Sequence, residues 1–421
     1  MKKIRDIDIK TIYIFISLLS LGITFFWLLL SHGNNFSNLF FYDSLDTGMD
    51  FFHSIEYTRG KAPYTKFDTI YPPLANMFFF ALLCFVPEWQ YIQWSDDFYE
   101  SISYRGTNVD LRVWQPTMLL FMFFIFICIF AFLFASFYYL DFNLKNFIVV
   151  CLIFLSYGVL YSLERGNIII VSLICSMIFV FFYDSDNKIK KEVALISLAL
   201  AFGLKLYPAI LGILLIYDKK IKEAIRTFIY GLIMFFVPFF FFEEKADGII
   251  IFIKHMFFWS SKKNSTTLGL CMSDSITSLI KNFQKILGVS DDWQMNIKLA
   301  KAMCLFALFS CLIFGAFFQK KWQKILTVVL GMIFFQNQGT YILIFMIIPL
   351  CVLLKEEKNL SKSNLIAFFG ILLTTLTLPL HLESKIIFFN YTRFQLCLLI
   401  LYTFITFLML DNVKKIIQNR R

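Results

Sequence analysis

A carboxylate, an imidazole and a phenol recur at helical spacing near the start of the chain. The sequence predicts a short helix over 48–59, on which Asp50, His53 and Tyr57 are three and four residues apart and share one face. Asp46 precedes Asp50 by four residues, and repulsion between two such carboxylates would raise the pKa of one toward the range of a general base. From spacing alone, either Asp50 or Asp46 could act as a base.

The same residues also fit a purely structural role. Thr47 with Asp50 three residues later has the spacing of a capping box, and a carboxylate in a first helical turn gains about 0.3–1 kcal/mol from the helix dipole. Arg59 would then interact favourably with the end of that helix, and Tyr57 could anchor a membrane interface. Helix chemistry alone leaves both interpretations open.

Three further titratable residues stand in apolar surroundings. Lys205 lies well inside the apolar run 192–217, where a lysine at a helix centre costs about 2.5–3.5 kcal/mol on membrane-insertion scales. Unless it snorkels it faces a polar cavity or an anion, and Pro208 would help to open the helix. Arg165 is either an anion ligand or an orientation signal between two runs. His255 falls in a stretch that suits an amphipathic helix covering the site.

Composition decides which class of protein holds these residues. Apolar residues make up 59% of the 421-residue chain and charged residues 16%, against roughly 45–50% and 25% in soluble domains. The runs are continuously apolar, which excludes an outer-membrane barrel, and the nine cysteines show no paired spacing. The sequence predicts an all-α polytopic membrane protein that forms a single integral membrane domain over 1–421.

About twelve apolar runs could serve as transmembrane helices. They cover 12–31, 71–87, 116–140, 146–162, 167–183, 192–217, 225–242, 299–318, 322–336, 339–355, 364–380 and 394–411. Even numbers of runs separate the basic clusters, so the positive-inside rule predicts cytoplasmic termini in a plasma membrane, specifically a bacterial inner membrane. Two large loops, 32–70 and 244–298, are then expected on the outer side.

Two segments disagree with this plan. The acidic segment 88–115 is assigned to the inner side, whereas 184–192, which carries three lysines, is assigned to the outer side. A broken or re-entrant pair of half-helices over 192–217 is the alternative to one span there. The plan also places Arg165 on the inner side, opposite Asp50.

No metal or nucleotide chemistry is indicated. The four histidines lack HxxxH-type spacing, and neither a P-loop nor a dinucleotide fingerprint is present. We therefore predict no metal and no cofactor. The net charge of +10 lies in clusters between the runs, which fits an anionic membrane surface and not nucleic acid. Arg393 and Glu383, assigned to the last outer loop, are interpreted as a loop ion pair.

Several short motifs follow one another in a recognisable order. They are GMDF at 48–51, YTRGKAPY at 57–64, YPPL at 71–74, ERGN at 164–167, LKLYP at 204–208, the Asn-Ser of KKNSTTLGL at 262–270 and TYILIFMIIPL at 340–350. In this order the chain, from about residue 45 to 355, resembles glycosyltransferase family 87 of the GT-C superfamily. A similar pairing of RGN with K-x-Y-P occurs in the related eukaryotic mannosyltransferase that begins the glycosylphosphatidylinositol core.

This resemblance implies a GT-C-like membrane hexosyltransferase, with mannose as the expected sugar. The donor would be a polyprenyl-phosphate-linked sugar in the lipid bilayer, and the acceptor a cell-envelope glycan or glycolipid that arrives from the outer side. Transfer would invert the anomeric configuration. Asp50 would take the acceptor proton, and Lys205, Arg165 and Arg59 are candidates to bind the leaving phosphate. The other expected substrate-binding residues are Asp46, Tyr57, Tyr64, Tyr71 and His255.

Two other functions remain open from the sequence. A polymerase of lipid-linked repeat units would also have many spans and a large outer loop, but arginines are expected in that loop and 244–298 contains none. A flippase or transporter of lipid-linked oligosaccharides predicts internal repeats and several midplane charges, and no convincing repeat is found.

Overall fold

The computed structural model describes residues 8–33, 47–87, 110–262, 275–277, 280, 297–335, 340–359, 362–378 and 387–418. Among these residues every regular element is a helix, apart from one isolated β-bridge between Asp8 and Asn359. Five of the described helices are long and apolar enough to cross a membrane, and a bent pair adds a sixth. The chain is therefore a helical membrane protein, although these helices do not confirm the expected twelve spans.

The helices follow in chain order. They are α1 (Ile9–Leu30), α2 (Met49–Glu56), α3 (Pro63–Phe67), α4 (Pro73–Leu83), α5 (Gln115–Leu140), α6 (Leu144–Phe154), α7 (Tyr157–Arg165), α8 (Ile169–Phe182), α9 (Lys188–Leu204), α10 (Ile213–Tyr217), α11 (Ile221–Phe236), α12 (Lys245–Lys262), α13 (Ile297–Gly315), α14 (Lys321–Phe335), α15 (Ile347–Glu356), α16 (Lys362–Thr375) and α17 (Ile387–Gln418). Short 3-10 turns cover Arg59–Lys61, Tyr207–Gly212, Val237–Phe241 and Thr340–Met346.

The bent pair is formed by α6 and α7, which meet at an angle of 54°. Leu155 and Ser156 separate the two helices, and the Thr377 hydroxyl donates a hydrogen bond of 2.6 Å to the Leu155 carbonyl. A side chain from another part of the bundle thus satisfies a backbone group at the bend. This is how an interrupted helix is tolerated in an apolar environment.

Ion pairs and hydrogen bonds gather the loops at one end of the bundle, which we call the basic end. Its members are linked by the pairs Asp8–Lys145, Asp184–Lys321 (2.8 Å), Asp218–Lys324 (2.5 Å) and Lys320–Glu357 (2.5 Å) and by the bridge between Asp8 and Asn359. Tyr183 donates to Asp218 as well, at 2.7 Å. The basic clusters at 219–226, 320–324 and 355–362 therefore have members at the same end as Lys10 and Lys145.

The opposite end of these helices carries Asp50, and we call it the Asp50 end. Helix α8 connects the two, because Asn167 before it bonds Asp50 and Tyr183 after it bonds Asp218. Helices α6 and α7 connect them again, from Lys145 to Arg165. Asp50 and Arg165 thus lie at one end, and the predicted placement of Arg165 opposite Asp50 is wrong.

The cause of that error is the run 71–87. Its helix α4 has only 11 residues, about 16 Å. The centre of the Phe80 ring in its last turn lies 5.4 Å from the Lys61 ammonium beside α2, so this helix stays near the Asp50 end and does not reach the basic end. The next described residues return to the Asp50 end, where the Arg112 guanidinium donates to the Thr47 carbonyl at 3.2 Å. The end of the acidic segment 88–115 therefore lies beside Asp50 and not at the basic end.

The run 192–217 supplies two antiparallel pieces in place of one span. Helix α9 ends where Lys205 takes an extended conformation (φ −146°, ψ 133°), and the chain then returns through Tyr207–Gly212 and α10 to Asp218. Residues 184–188 accordingly lie at the basic end with Lys321. The broken alternative is confirmed, and the start of the lysine-bearing segment 184–192 lies at the same end as the other basic clusters.

Candidate functional site

The motifs GMDF and ERGN meet through their backbones. The Gly48 amide donates to the Glu164 carbonyl at 2.9 Å. Gly166 has φ +64°, and a Cβ added there would come within 2.6 Å of both the Phe51 Cβ and the Phe121 ring. Only glycine combines that backbone conformation with such close packing. Gly166 therefore lets the turn after α7 lie directly on α2.

This contact brings two side chains onto the Asp50 carboxylate. Arg165 Nη2 donates to Asp50 Oδ1 at 2.9 Å, and Asn167 Nδ2 donates to Asp50 Oδ2 at 2.7 Å. The side chains of Asp50 and Arg165 are 18% and 16% exposed. Both carboxylate oxygens are thus oriented, while the group keeps access to a ligand.

The electrostatics of Asp50 differ from the sequence prediction. Burial alone would raise the pKa of this carboxyl, but the Arg165 charge and hydrogen bonds from Arg165, Asn167 and Tyr341 hold the pKa below its usual value. The rise expected in the pKa of one of the two carboxylates therefore does not occur at Asp50. Asp46, proposed as its cause and as a substrate-binding residue, lies outside the described residues.

Helix α2 matches the predicted short helix, although it ends at Glu56. The capping box does not form, because the N-cap position is Gly48 in the left-handed region (φ +72°) and no side chain caps it. Asp50 still lies in the first turn. The His53 and Tyr57 rings stack at 6.1 Å and are half-buried like Asp50, so the predicted common face is confirmed.

A stack of tyrosine rings also begins beside Asp50. The Tyr341 side chain hydrogen-bonds Asp50, and its ring stacks on Tyr161 with centroids 4.7 Å apart. Tyr161 in turn stacks on Tyr157 at 5.6 Å. Aromatic faces of this kind can pack against the apolar face of a sugar ring.

Lys205 reaches the site through Tyr71. Its ammonium lies 4.1 Å from the centre of the Tyr71 ring, at the break between α9 and the returning 3-10 turn. Tyr71 is hydrogen-bonded with Ser54, and its burial and the nearby charge of Asp50 raise the pKa of its hydroxyl. Tyr71 thus stands between the candidate base and a cation, which fits the predicted role of both Tyr71 and Lys205.

Tyr64 has a different environment from the one predicted. Its ring is fully buried in a cluster with Phe239 and Phe252, and its hydroxyl donates to the Tyr71 carbonyl at 3.2 Å. Its backbone amide donates to Glu244 at 3.0 Å. With no exposed surface, Tyr64 supports the position of Tyr71 and does not itself present a face to a substrate.

The structure does not bring Arg59 or His255 onto Asp50. Arg59 lies beyond the far end of α2, and its Nη1 is buried without a hydrogen-bond partner in the described part of the chain. His255 lies on α12, in the expected outer helix, where its Nε2 is 3.3 Å from Asp68 Oδ1. Both stay candidates for contact with larger parts of a substrate.

Sequence reasoning missed Asn167, Tyr341 and Tyr161 as site residues. Asn167 and Tyr341 stand in the quoted motifs ERGN and TYILIFMIIPL, so their presence was the available signal. Their shared partner Asp50 is more than a hundred residues away in the chain, and no local spacing indicates such a contact.

The arrangement can accept a proton and orient an oxygen nucleophile. Asp50 is anionic, held on both oxygens and partly exposed, and Lys205 supplies positive charge across Tyr71. No group of three metal-ligating side chains occurs among the described residues. No family model, curated protein or solved structure matches the chain.

Proposed function

We propose that the protein is an integral membrane glycosyltransferase. It transfers a hexose, with mannose as the expected sugar, from a polyprenyl-phosphate donor to a cell-envelope glycan or glycolipid. The observation that carries this proposal is the Asp50 carboxylate, oriented by Arg165 and Asn167, kept anionic and 18% exposed at one end of a helical membrane bundle. The order of the sequence motifs supplies the donor class.

The proposed reaction is a single displacement. The acceptor hydroxyl oxygen forms a bond to the anomeric carbon while the bond from that carbon to the phosphate oxygen breaks. The electron pair of the broken bond leaves with polyprenyl phosphate, and the acceptor proton passes to Asp50. General-base catalysis of this kind contributes about 10²–10⁴-fold. The anomeric configuration is inverted.

Lys205 is the best candidate to stabilise the leaving phosphate. Arg165 already gives Nη2 to Asp50, so its charge mainly keeps that carboxylate anionic. The Lys205 ammonium lies against the Tyr71 ring. A cation near developing negative charge in a partly dehydrated site lowers the barrier to expulsion.

The corrected chain path preserves twelve crossings in this proposal. Helix α4 no longer spans, whereas 188–217 spans twice, so the number before the cluster at 219–226 stays even. Both termini are then cytoplasmic and the Asp50 end faces the outer side, by the positive-inside rule. The lipid-exposed phenylalanines of α1 and α5 offer an apolar wall for the polyprenyl chain.

Sidedness can be tested by cysteine labelling in intact cells with an impermeant maleimide. The variants are Asp68→Cys, at a side chain 71% exposed near the Asp50 end, and Lys188→Cys, exposed at the start of α9. We expect labelling of position 68 only. Labelling of position 188 from outside would contradict the corrected path.

Activity is tested with proteoliposomes that contain the full-length chain and a radiolabelled polyprenyl-phosphate mannose. We expect release of free polyprenyl phosphate together with a glycosylated acceptor when an envelope lipid extract is added. Movement of labelled lipid between leaflets without its hydrolysis or transfer would instead favour a flippase. Growth of products by whole oligosaccharide units would favour a polymerase.

A further inference from the structure

Arg393 is a buried cation that has no counterion among the residues that the structure describes. It lies on α17 with 9% of its surface exposed, so its predicted place in a loop is wrong. Glu383, its predicted ion-pair partner, falls outside the described residues, and that pair stays a prediction. None of its three guanidinium nitrogens makes a hydrogen bond in the described part of the chain. The guanidinium carbon lies 4.5 Å from the centre of the Phe394 ring.

A buried arginine without a counterion lowers the stability of the folded protein. A buried charge without a partner loses its hydration and gains no compensating interaction. Arginines within membranes normally pair with a carboxylate or a backbone carbonyl, or they face a functional cavity. A single cation–π contact offsets only about 0.5–2 kcal/mol of that cost. Arg393 therefore has spare capacity for an oxyanion, which its planar fork binds with two parallel hydrogen bonds.

A continuous row of aromatic rings leads from Arg393 to the candidate base. Its successive centroid distances are 5.5 Å for Phe394–Tyr157, 5.6 Å for Tyr157–Tyr161 and 4.7 Å for Tyr161–Tyr341, and Tyr341 hydrogen-bonds Asp50. Arg393 and Asp50 thus lie at the two ends of one row of aromatic rings.

The length of this aromatic row shows whether the anion at Arg393 belongs to the donor or to the acceptor. Tyr157 precedes Arg165 by eight residues on α7, about 12 Å along the helix. The leaving phosphate is bonded to the carbon under attack beside Asp50, so it cannot lie as far away as Tyr157. An anion at Arg393 must belong to another part of the reaction, and the acceptor is the remaining partner.

We infer that Arg393 is a specificity residue that binds an oxyanion of the acceptor, while the acceptor's sugar lies against the half-buried rings of Tyr161 and Tyr341 and its hydroxyl reaches Asp50. This inference rests on the proposed function for the identity of the acceptor. The oxyanion is either the phosphate of a lipid anchor or the carboxylate of an acidic sugar. Both bind a guanidinium in the same bidentate manner.

Binding to full-length protein in nanodiscs of neutral lipid separates these sources without any turnover. The first pair of probes is octyl glucuronide and octyl glucoside, which differ in a carboxylate. The second pair is phosphatidylinositol and a neutral glucosyl diacylglycerol. We expect at least one anionic probe to bind more tightly than its neutral counterpart, and Arg393→Gln to reduce that preference about tenfold or more.

Three variants make the result specific. Arg226→Gln removes a guanidinium paired with Glu192 at 2.6 Å and should leave the preference unchanged. Asp50→Asn should also retain it, so failure of transfer and failure of this site remain distinguishable. Arg393→Met should raise the unfolding temperature of ligand-free protein, because it removes an uncompensated buried charge.

The inference is overturned if neither anionic probe is preferred, or if the preference survives Arg393→Gln. A lower unfolding temperature for ligand-free Arg393→Met would also overturn it. That result would mean that a counterion within the protein already pairs with Arg393. The pair whose preference depends on Arg393 identifies the oxyanion as a carboxylate or a phosphate.

Discussion

The two ends of the helical bundle use the same residue types in opposite ways. At the basic end the charged side chains are paired, as in Lys321–Asp184 and Lys324–Asp218, or hydrogen-bonded to neutral groups, as in Lys10–Asn146. At the Asp50 end, buried polar atoms lack partners within the described residues, namely Arg59 Nη1, Asn76 Oδ1, the Tyr207 hydroxyl and all three guanidinium nitrogens of Arg393. One end is internally satisfied, and the other retains hydrogen-bonding capacity.

The presence or absence of a protein partner therefore distinguishes structural charges from candidate functional ones. Partly exposed ion pairs are each worth about 0–1 kcal/mol and mainly fix where loops lie. A buried polar group without a partner costs about 1–3 kcal/mol, so it persists where a ligand completes it. Asp50 is intermediate, because it is paired with Arg165 and yet 18% exposed.

Among variants that leave the Asp50 carboxylate in place, Gly166→Ala is expected to have the largest effect on the Asp50 end. Its φ of +64° costs a non-glycine residue about 1–2 kcal/mol, and the new Cβ meets Phe51 and Phe121 at 2.6 Å. Displacement of Arg165 and Asn167 from Asp50 should reduce transfer by about 10²-fold. Sugar transfer and thermal unfolding measure both consequences.

The matched control for this prediction is Gly22→Ala on α1, where a Cβ would meet nothing within 4 Å. It should preserve transfer and unfolding temperature. Wild-type transfer by Gly166→Ala would show that the contact between the two motifs does not position the site.

A smaller effect, measured as a shift in pH dependence, is expected from Arg165→Gln. Because the pKa of Asp50 is lowered, the anionic base is present at neutral pH and is lost only as pH falls through that lowered pKa. Removing the Arg165 charge raises this pKa, so the acidic limb of the transfer rate should move to higher pH. The profile of Arg226→Gln, at a distant ion pair, should coincide with wild type.

An unchanged acidic limb in Arg165→Gln would contradict the claim that the Arg165 charge lowers the pKa of the catalytic base. The same sign applies to stability, since the contribution of Asp50 is present above its unfolded pKa and disappears as pH falls through its folded pKa.

Sequence reasoning identified the class of fold and the residues Asp50, Arg165 and Lys205, but it did not place them together. The run 71–87 has the hydropathy of a span, yet its helix is 11 residues long. Hydropathy averages over such a run and does not register where the helix stops. This single miscount moved Arg165 to the wrong end.

Other parts of the site depend on contacts that no local pattern contains. Asn167 and Tyr341 acquire a role only when α7 and the turn at Thr340–Met346 pack against α2. Arg393 looked like a loop residue because the run assigned to its helix began at 394, whereas α17 begins at Ile387. Helix ends are the least certain feature of a pattern-based prediction.

The central claim, that the Asp50 end performs the chemistry and the basic end does not, is tested most directly by one pair of variants. Asp50→Asn and Asp218→Asn each remove a carboxylate that is held by a cation, one at either end. Release of polyprenyl phosphate should fall by about 10²–10⁴-fold in folded, membrane-inserted Asp50→Asn and stay near wild type in Asp218→Asn. Wild-type release by Asp50→Asn would contradict the account.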